Sequence, residues 1–270
     1  MHAPVKPTSH PPAHSPGIGL VLRLTIRDLR AGLRGFGIFI ACLALGVMTI
    51  AAVASASRGL TEGLAREGRR ILGGDAAFSL IHREATPPEL AFLTARGAVS
   101  SIATMRGMAN AGEKGAALVE IKAVDAAYPS IGTVETDPQA PLPGLLDQRD
   151  GAYGAVADPV LFGRLDLKPG DIVTVGGAKI QLRANLVFEP DKIAAGVGFG
   201  PRLLLSQDAL RASGLLQPGS LVRWTARVTL PENASSDAAL DRLLADAARE
   251  QPQAGWEIRS RSNAAPNFQR

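Results

Sequence analysis

The side chains able to do chemistry are few in this chain of 270 residues, and their spacing does not assemble them. His82-Arg83-Glu84 places an imidazole beside a carboxylate. A strand-end histidine with no second histidine four residues on lacks the helical pair that zinc ligation uses, so a surface residue is the expectation. Asp158, Asp166 and Asp171 fall in separate turn-like stretches and read as caps and turn residues rather than as a general acid and base. Gly196-Val197-Gly198-Phe199-Gly200 has the glycine content of a phosphate loop, but Pro201 stands where the free N–H groups of a helix start belong, and Leu203-Leu204-Leu205 follows as a strand. There is no GxxxxGK[S/T] sequence to hold a nucleotide triphosphate. Cys42 is the one cysteine, which excludes an intrachain disulfide and any multi-cysteine metal site. His2, His10 and His14 lie in a proline-rich tail where nothing enforces a ligand spacing. The reading is of a protein that is not an enzyme, with no catalytic residue, cofactor or metal.

The elements that would have to position any site begin with a membrane segment. From Gly35 to Ser57 the chain carries no charge, which is long enough to cross a bilayer as one helix. Ahead of it, Arg23, Arg27, Arg30 and Arg34 recur at helical steps, beside a second stripe of Leu22, Ile26, Leu29 and Leu33. Such a helix can lie at the membrane interface with its leucines in the acyl boundary and its arginines at the headgroups. These four arginines are the candidate lipid-contacting residues; a helix packed on protein is the alternative. Residues 1–34 hold five basic residues against Asp28, which accounts for the whole net charge of +4. The basic excess therefore sits beside the span, and no nucleic-acid partner is expected. Arg58, Arg66, Arg69 and Arg70 balance the near-side arginines in number. Glu62 and Glu67 among them tilt the orientation toward a cytoplasmic N-terminus and an external domain. Ala54-Ser55-Ala56 would suit a signal peptidase, but the leader would exceed fifty residues.

The expected organisation is a disordered tail over 1–17, a juxtamembrane amphipathic helix over 18–34, the span over 35–57 and a helical stalk over 58–74 stopped by Gly73-Gly74. A folded domain over 75–262 follows, then 263–270. Within the domain, strand-like runs at 76–82, 99–108, 116–124, 172–175, 179–188, 202–205 and 221–230 alternate with helical pieces at 87–96, 159–165, 207–213 and 237–250. The last helix presents Leu240, Leu243, Leu244, Ala247 and Ala248 on one face, with Ser235 or Ser236 as its cap. This is an α+β pattern with a mixed, mostly antiparallel sheet in two lobes, and residues 125–153, rich in proline and glycine, read as a surface connection between them.

The stretch from Leu22 to Asp75, with its basic helix, the span containing IACLALGV and the ILGGD stop, resembles the start of an FtsX/MacB-type ABC transporter permease of the YbbP-like branch. Asp158 to Gly177, containing LDLKPGD, is similar to a segment of the MacB-like periplasmic core domain of such proteins, and Ala264 to Gln269 resembles the approach to a second span. The resemblance implies an inner-membrane permease component with a two-lobed periplasmic domain. It would work with a cytoplasmic ABC ATPase subunit, membrane lipids and a second permease protomer on a lipid, lipoprotein or peptide. Permeases of this kind have further spans, so the chain reads as an amino-terminal fragment. The rival readings are a single-pass anchored binding or adaptor module, and an exported hydrolase, which the poverty of catalytic groups disfavours.

Overall fold

The computed structural model describes residues 36–55, 68–192, 200–231, 233 and 235–262. They belong to two units, Met1–Thr61 and Glu62–Arg270. The interface arginines Arg23, Arg27, Arg30 and Arg34, the tail, most of the stalk, most of the Gly196–Gly200 run and residues 263–270 lie outside the described residues.

In the first unit, α1 (Phe36–Ser55) is the one helix among the described residues long and apolar enough to cross a membrane. Its 20 residues rise about 30 Å at 1.5 Å each, the thickness of a hydrocarbon core. Phe39, Leu43, Val47 and Ile50 are all exposed, as a lipid-facing helix requires. Thr49 Oγ1 donates to the Leu45 carbonyl at 2.7 Å, so the hydroxyl is satisfied without water.

The second unit opens with a helical turn over 68–72, closed by Gly73 at φ 70° with its amide donating to the Arg69 carbonyl. The strands are β1 (Ala76–Ile81), β2 (Ala98–Asn110), β3 (Ala116–Val124), β4 (Glu135–Asp137), β5 (Gln148–Arg149), β6 (Ala152–Ala157), β7 (Ile172–Val175), β8 (Ala178–Phe188), β9 (Arg202–Ser206), β10 (Arg223–Thr229) and β11 (Glu257–Ser260). Among the described residues they form one sheet in the order β11-β1-β10-β2-β3-β9-β6-β8-β4, with β5 on β6 and β7 bridging β2 and β8. The β3–β9 and β6–β8 pairs are parallel and the remaining pairs antiparallel, a mixed and mostly antiparallel sheet.

The helices are α2 (Pro87–Thr94), α3 (Leu142–Leu146), α4 (Pro159–Leu165), α5 (Gln207–Ala212) and α6 (Asp237–Glu250). Period-two alternation decides where they pack. Phe78 of β1 and Val228 of β10 meet Phe92 and Leu93 of α2 and Leu240 and Leu243 of α6, with Trp256 edge-on to Phe78 at 5.0 Å. Val119 and Ile121 of β3, Leu203 and Leu205 of β9 and Leu182 of β8 face Leu161 of α4 and Leu210 of α5 in a second core. The opposite side of β3, β9 and β6 is sealed by a third core, in which Ile102, Val124 and Leu204 meet Tyr128, Leu145 and Leu146. The helix over α6 is capped by Ser236, whose Oγ accepts from Ala239 N; Ala248, expected on its inner face, is exposed.

The segment 125–153 is not a surface connection. It contributes β4, α3, β5 and the start of β6, and β6 is a central strand between β9 and β8. Its sequence, AYGAVA, has small residues because the chain crosses there tightly. A Cβ on Gly154 would lie 2.0 Å from the Leu145 carbonyl oxygen.

Candidate functional site

His82, Arg83 and Glu84 stand at the end of β1, and the structure disperses them. His82 is exposed at φ 74° with Nδ1 3.0 Å from the Ser220 carbonyl. Arg83 forks onto both oxygens of Glu89 at 2.8 Å, and Glu84 is held by both terminal nitrogens of Arg211. The cleft beside them, about 230 Å³ and lined by Gln217, Ser220 and Trp224 among others, thus has its one arginine, Arg83, and its one carboxylate, Glu84, already paired. Asp158 caps α4 by accepting from Val160 N at 3.0 Å, and Asp166 ends it in the left-handed conformation at φ 49°. Asp171 accepts from Lys168 N and from Lys114 Nζ. The three aspartates are caps and turn residues, as their spacing indicated. Among the described residues no group of three His, Cys, Asp or Glu is arranged to hold a metal ion.

The structure instead gathers a set of charges that sequence reading missed. Glu120 and Lys122 on β3, Arg202 on β9 and Arg227 on β10 project from one face of the sheet, by strand alternation and register. Glu189 and Asp191, just beyond β8, complete the set. Lys122 Nζ touches Glu189, donates to Asp191 at 2.7 Å and to the Tyr128 hydroxyl at 3.0 Å. Tyr128 in turn donates to the other Asp191 oxygen at 2.8 Å. Arg227 pairs with the same Asp191, while Arg202 links Glu189 at 3.2 Å to Glu120 at 2.8 Å. Three cations thus face three carboxylates. The side chains of Lys122, Glu189 and Asp191 are 3%, 0% and 1% exposed.

Electrostatics follow from that enclosure. Burial alone would push the Asp191 carboxyl up; Lys122 and Arg227 overcome it and hold the group well below the ordinary carboxylate range. Burial, then the charges of Asp191 and Glu189, raise the Tyr128 phenol, so it remains a proton donor. For Arg202 burial works against the charge and Glu189 with Glu120 more than restore it. Lysine and tyrosine carry proton chemistry in open clefts, but here each is internally bonded and shut from solvent. The arrangement joins strands from both halves of the sheet and pins the ends of the 189–202 segment. The signal for it in the sequence was charge inside strands of mostly apolar residues, Glu120 and Lys122 in AALVEIKAV and Arg202 before three leucines.

No family model matches the sequence. Over 192 residues the chain is 32% identical to an uncharacterized ABC transporter permease, YbbP, of Escherichia coli K12. The chain is a relative of the YbbP-type ABC transporter permeases. The matched part is 71% of this chain and 23% of YbbP, so the chain spans about a quarter of the length of the curated protein it matches. Among solved structures, the periplasmic region of MacB from Actinobacillus actinomycetemcomitans is similar with a TM-score of 0.46 and 10% identity, over 72% of this chain and 92% of that one. The extracellular domain of the noncanonic ABC-type transporter YknZ from Gram-positive bacteria gives 0.43 at 12% identity, over 68% and 100% of the two chains. A permease domain from Porphyromonas gingivalis gives 0.44 at 8%, over 73% and 95%. With a membrane-length apolar helix and this similarity to a permease, the chain reads as a membrane protein.

Proposed function

We propose that the chain is a permease component of an ABC transport system, carrying its first span and an extracytoplasmic domain. The observation that carries this reading is the 32% identity to a permease over 192 residues, in a chain that also holds a membrane-length apolar helix. The N-terminus lies in the cytoplasm and residues 75–262 form the periplasmic domain. Arg23, Arg27, Arg30 and Arg34 seat residues 18–34 at the anionic inner headgroups. A cytoplasmic ATPase subunit supplies motion, the span at 35–57 and stalk at 58–74 carry it outward, and a second permease protomer faces the domain. The cargo is a lipid, lipoprotein or peptide handled at the outer leaflet. The domain's role is mechanical rather than catalytic, which the ion pairing of Lys122, Arg202 and Arg227 with Glu120, Glu189 and Asp191 supports.

Cys42 makes the topology easy to test, because replacing one residue leaves a cysteine-free chain. In a Cys42→Ser background, a cysteine at exposed Glu113 should react with a membrane-impermeant maleimide on intact spheroplasts, and one at Lys6 only after lysis. Labelling of position 113 solely after lysis would overturn the orientation.

A further inference from the structure

The chain enters and leaves the folded sheet at one place. Residues 68–75 lead into β1, and β11 leads out through Arg261, with Ala76 opposite Ser260 in the antiparallel pair. A Cβ on Gly68 would stand 2.3 Å from the Arg261 carbonyl oxygen, so the two segments touch. Asp75, with no exposed surface, lies between them. Its carboxylate accepts from Arg261 Nη1 at 2.5 Å, from Arg69 Nη2 at 3.1 Å and from Leu230 N at 2.8 Å, and its carbonyl accepts from Arg261 N at 2.9 Å. Arg261 reaches on to Asp237 Oδ1 and the Ser235 carbonyl, both at 2.7 Å, at the start of α6.

This placement matters mechanically. Two antiparallel neighbours pulled apart at the same end open one hydrogen-bonded rung at a time, the weakest way to load a sheet. β11 is also an edge strand of four residues, the kind of element that opens locally first. The Asp75–Arg261 pair sits just outside the first rung, where such opening would begin. We infer that Asp75, with Arg69 and Arg261, is a lock that makes the incoming and outgoing segments one mechanical input to the domain. It takes its purpose from the permease reading above, while its geometry stands without it.

The test is hydrogen exchange by mass spectrometry on the whole chain in lipid nanodiscs, without nucleotide. Asp75→Asn keeps the side chain's shape and removes its charge. Arg261→Gln leaves the Asp75 contacts to Arg69 and Leu230 in place, and serves if the first variant does not fold. Exchange in peptides covering 69–75 and 257–262 should rise at least tenfold together in either variant, while 159–165 and 203–206 stay within twofold of wild type. Loosening of one segment alone, no change, or an equal rise across the domain would overturn the lock. Because no ATPase takes part, that result is separable from failure of the permease reading.

Discussion

Lys122 and Asp191, 69 positions apart in the chain, meet at 2.7 Å with almost no solvent access. Removing a cation from such a cluster leaves Glu189 and Asp191 buried without their shared partner, which costs more than an exposed ion pair ever contributes. Lys122→Met should therefore destabilise the domain by about 3–5 kcal/mol. Urea unfolding followed by the fluorescence of Trp224 and Trp256 would measure it; a loss below about 1 kcal/mol would show that the network contributes little.

Acid should weaken the domain through Glu89. Arg83 holds this carboxyl down to about 2, with the Thr86 backbone amide assisting against the cost of burial. A carboxyl depressed below its unfolded value of 4.5 contributes stability that is present above that pH and drains away as pH falls toward about 2. Glu89→Gln should flatten the stability–pH curve across that window. An unchanged slope would mean that the Arg83 fork is not maintained in solution.

Gly73 occupies φ 70°, and a Cβ there would meet Arg227 Nη1 at 2.5 Å. Gly73→Ala imposes left-handed strain and crowds a guanidinium already committed to Asp191. The expected loss exceeds about 1 kcal/mol, measured by the same urea titration. Gly112→Ala, also at positive φ but with open space around it, should be milder.

Ser236 Oγ accepts from Ala239 N at 3.2 Å at the start of α6, the helix that closes the first core. Ser236→Ala should cost about 1 kcal/mol, whereas Asp241→Ala on the exposed face should fall within about 0.5 kcal/mol of wild type. Equal effects from the two would contradict the capping assignment.

Long periodic runs were legible without coordinates. The alternation in β3 and β8, the Leu240–Leu243 face of α6 and the Asp158 cap all follow from local spacing, which depends on near neighbours alone. β6 was not legible, because AYGAVA carries little strand propensity and owes its place to the approach of α3 at Gly154. β4 and β11 are short edge elements whose pairing is decided by partners 48 or more residues away. The buried charges were hidden for the same reason. Lys122 reads as an outward-facing residue until β9, β10 and the Glu189–Asp191 segment are brought over it.

The central claim, that this chain serves an ABC system as its permease component, is tested most directly by what it carries out of the membrane. The gene product, affinity-tagged at its own locus and purified in mild detergent, should bring with it an ABC ATPase in near-stoichiometric amount, and the preparation should hydrolyse ATP. Recovery of the chain alone, with no ATPase and no hydrolysis, would contradict the account and favour an anchored binding module.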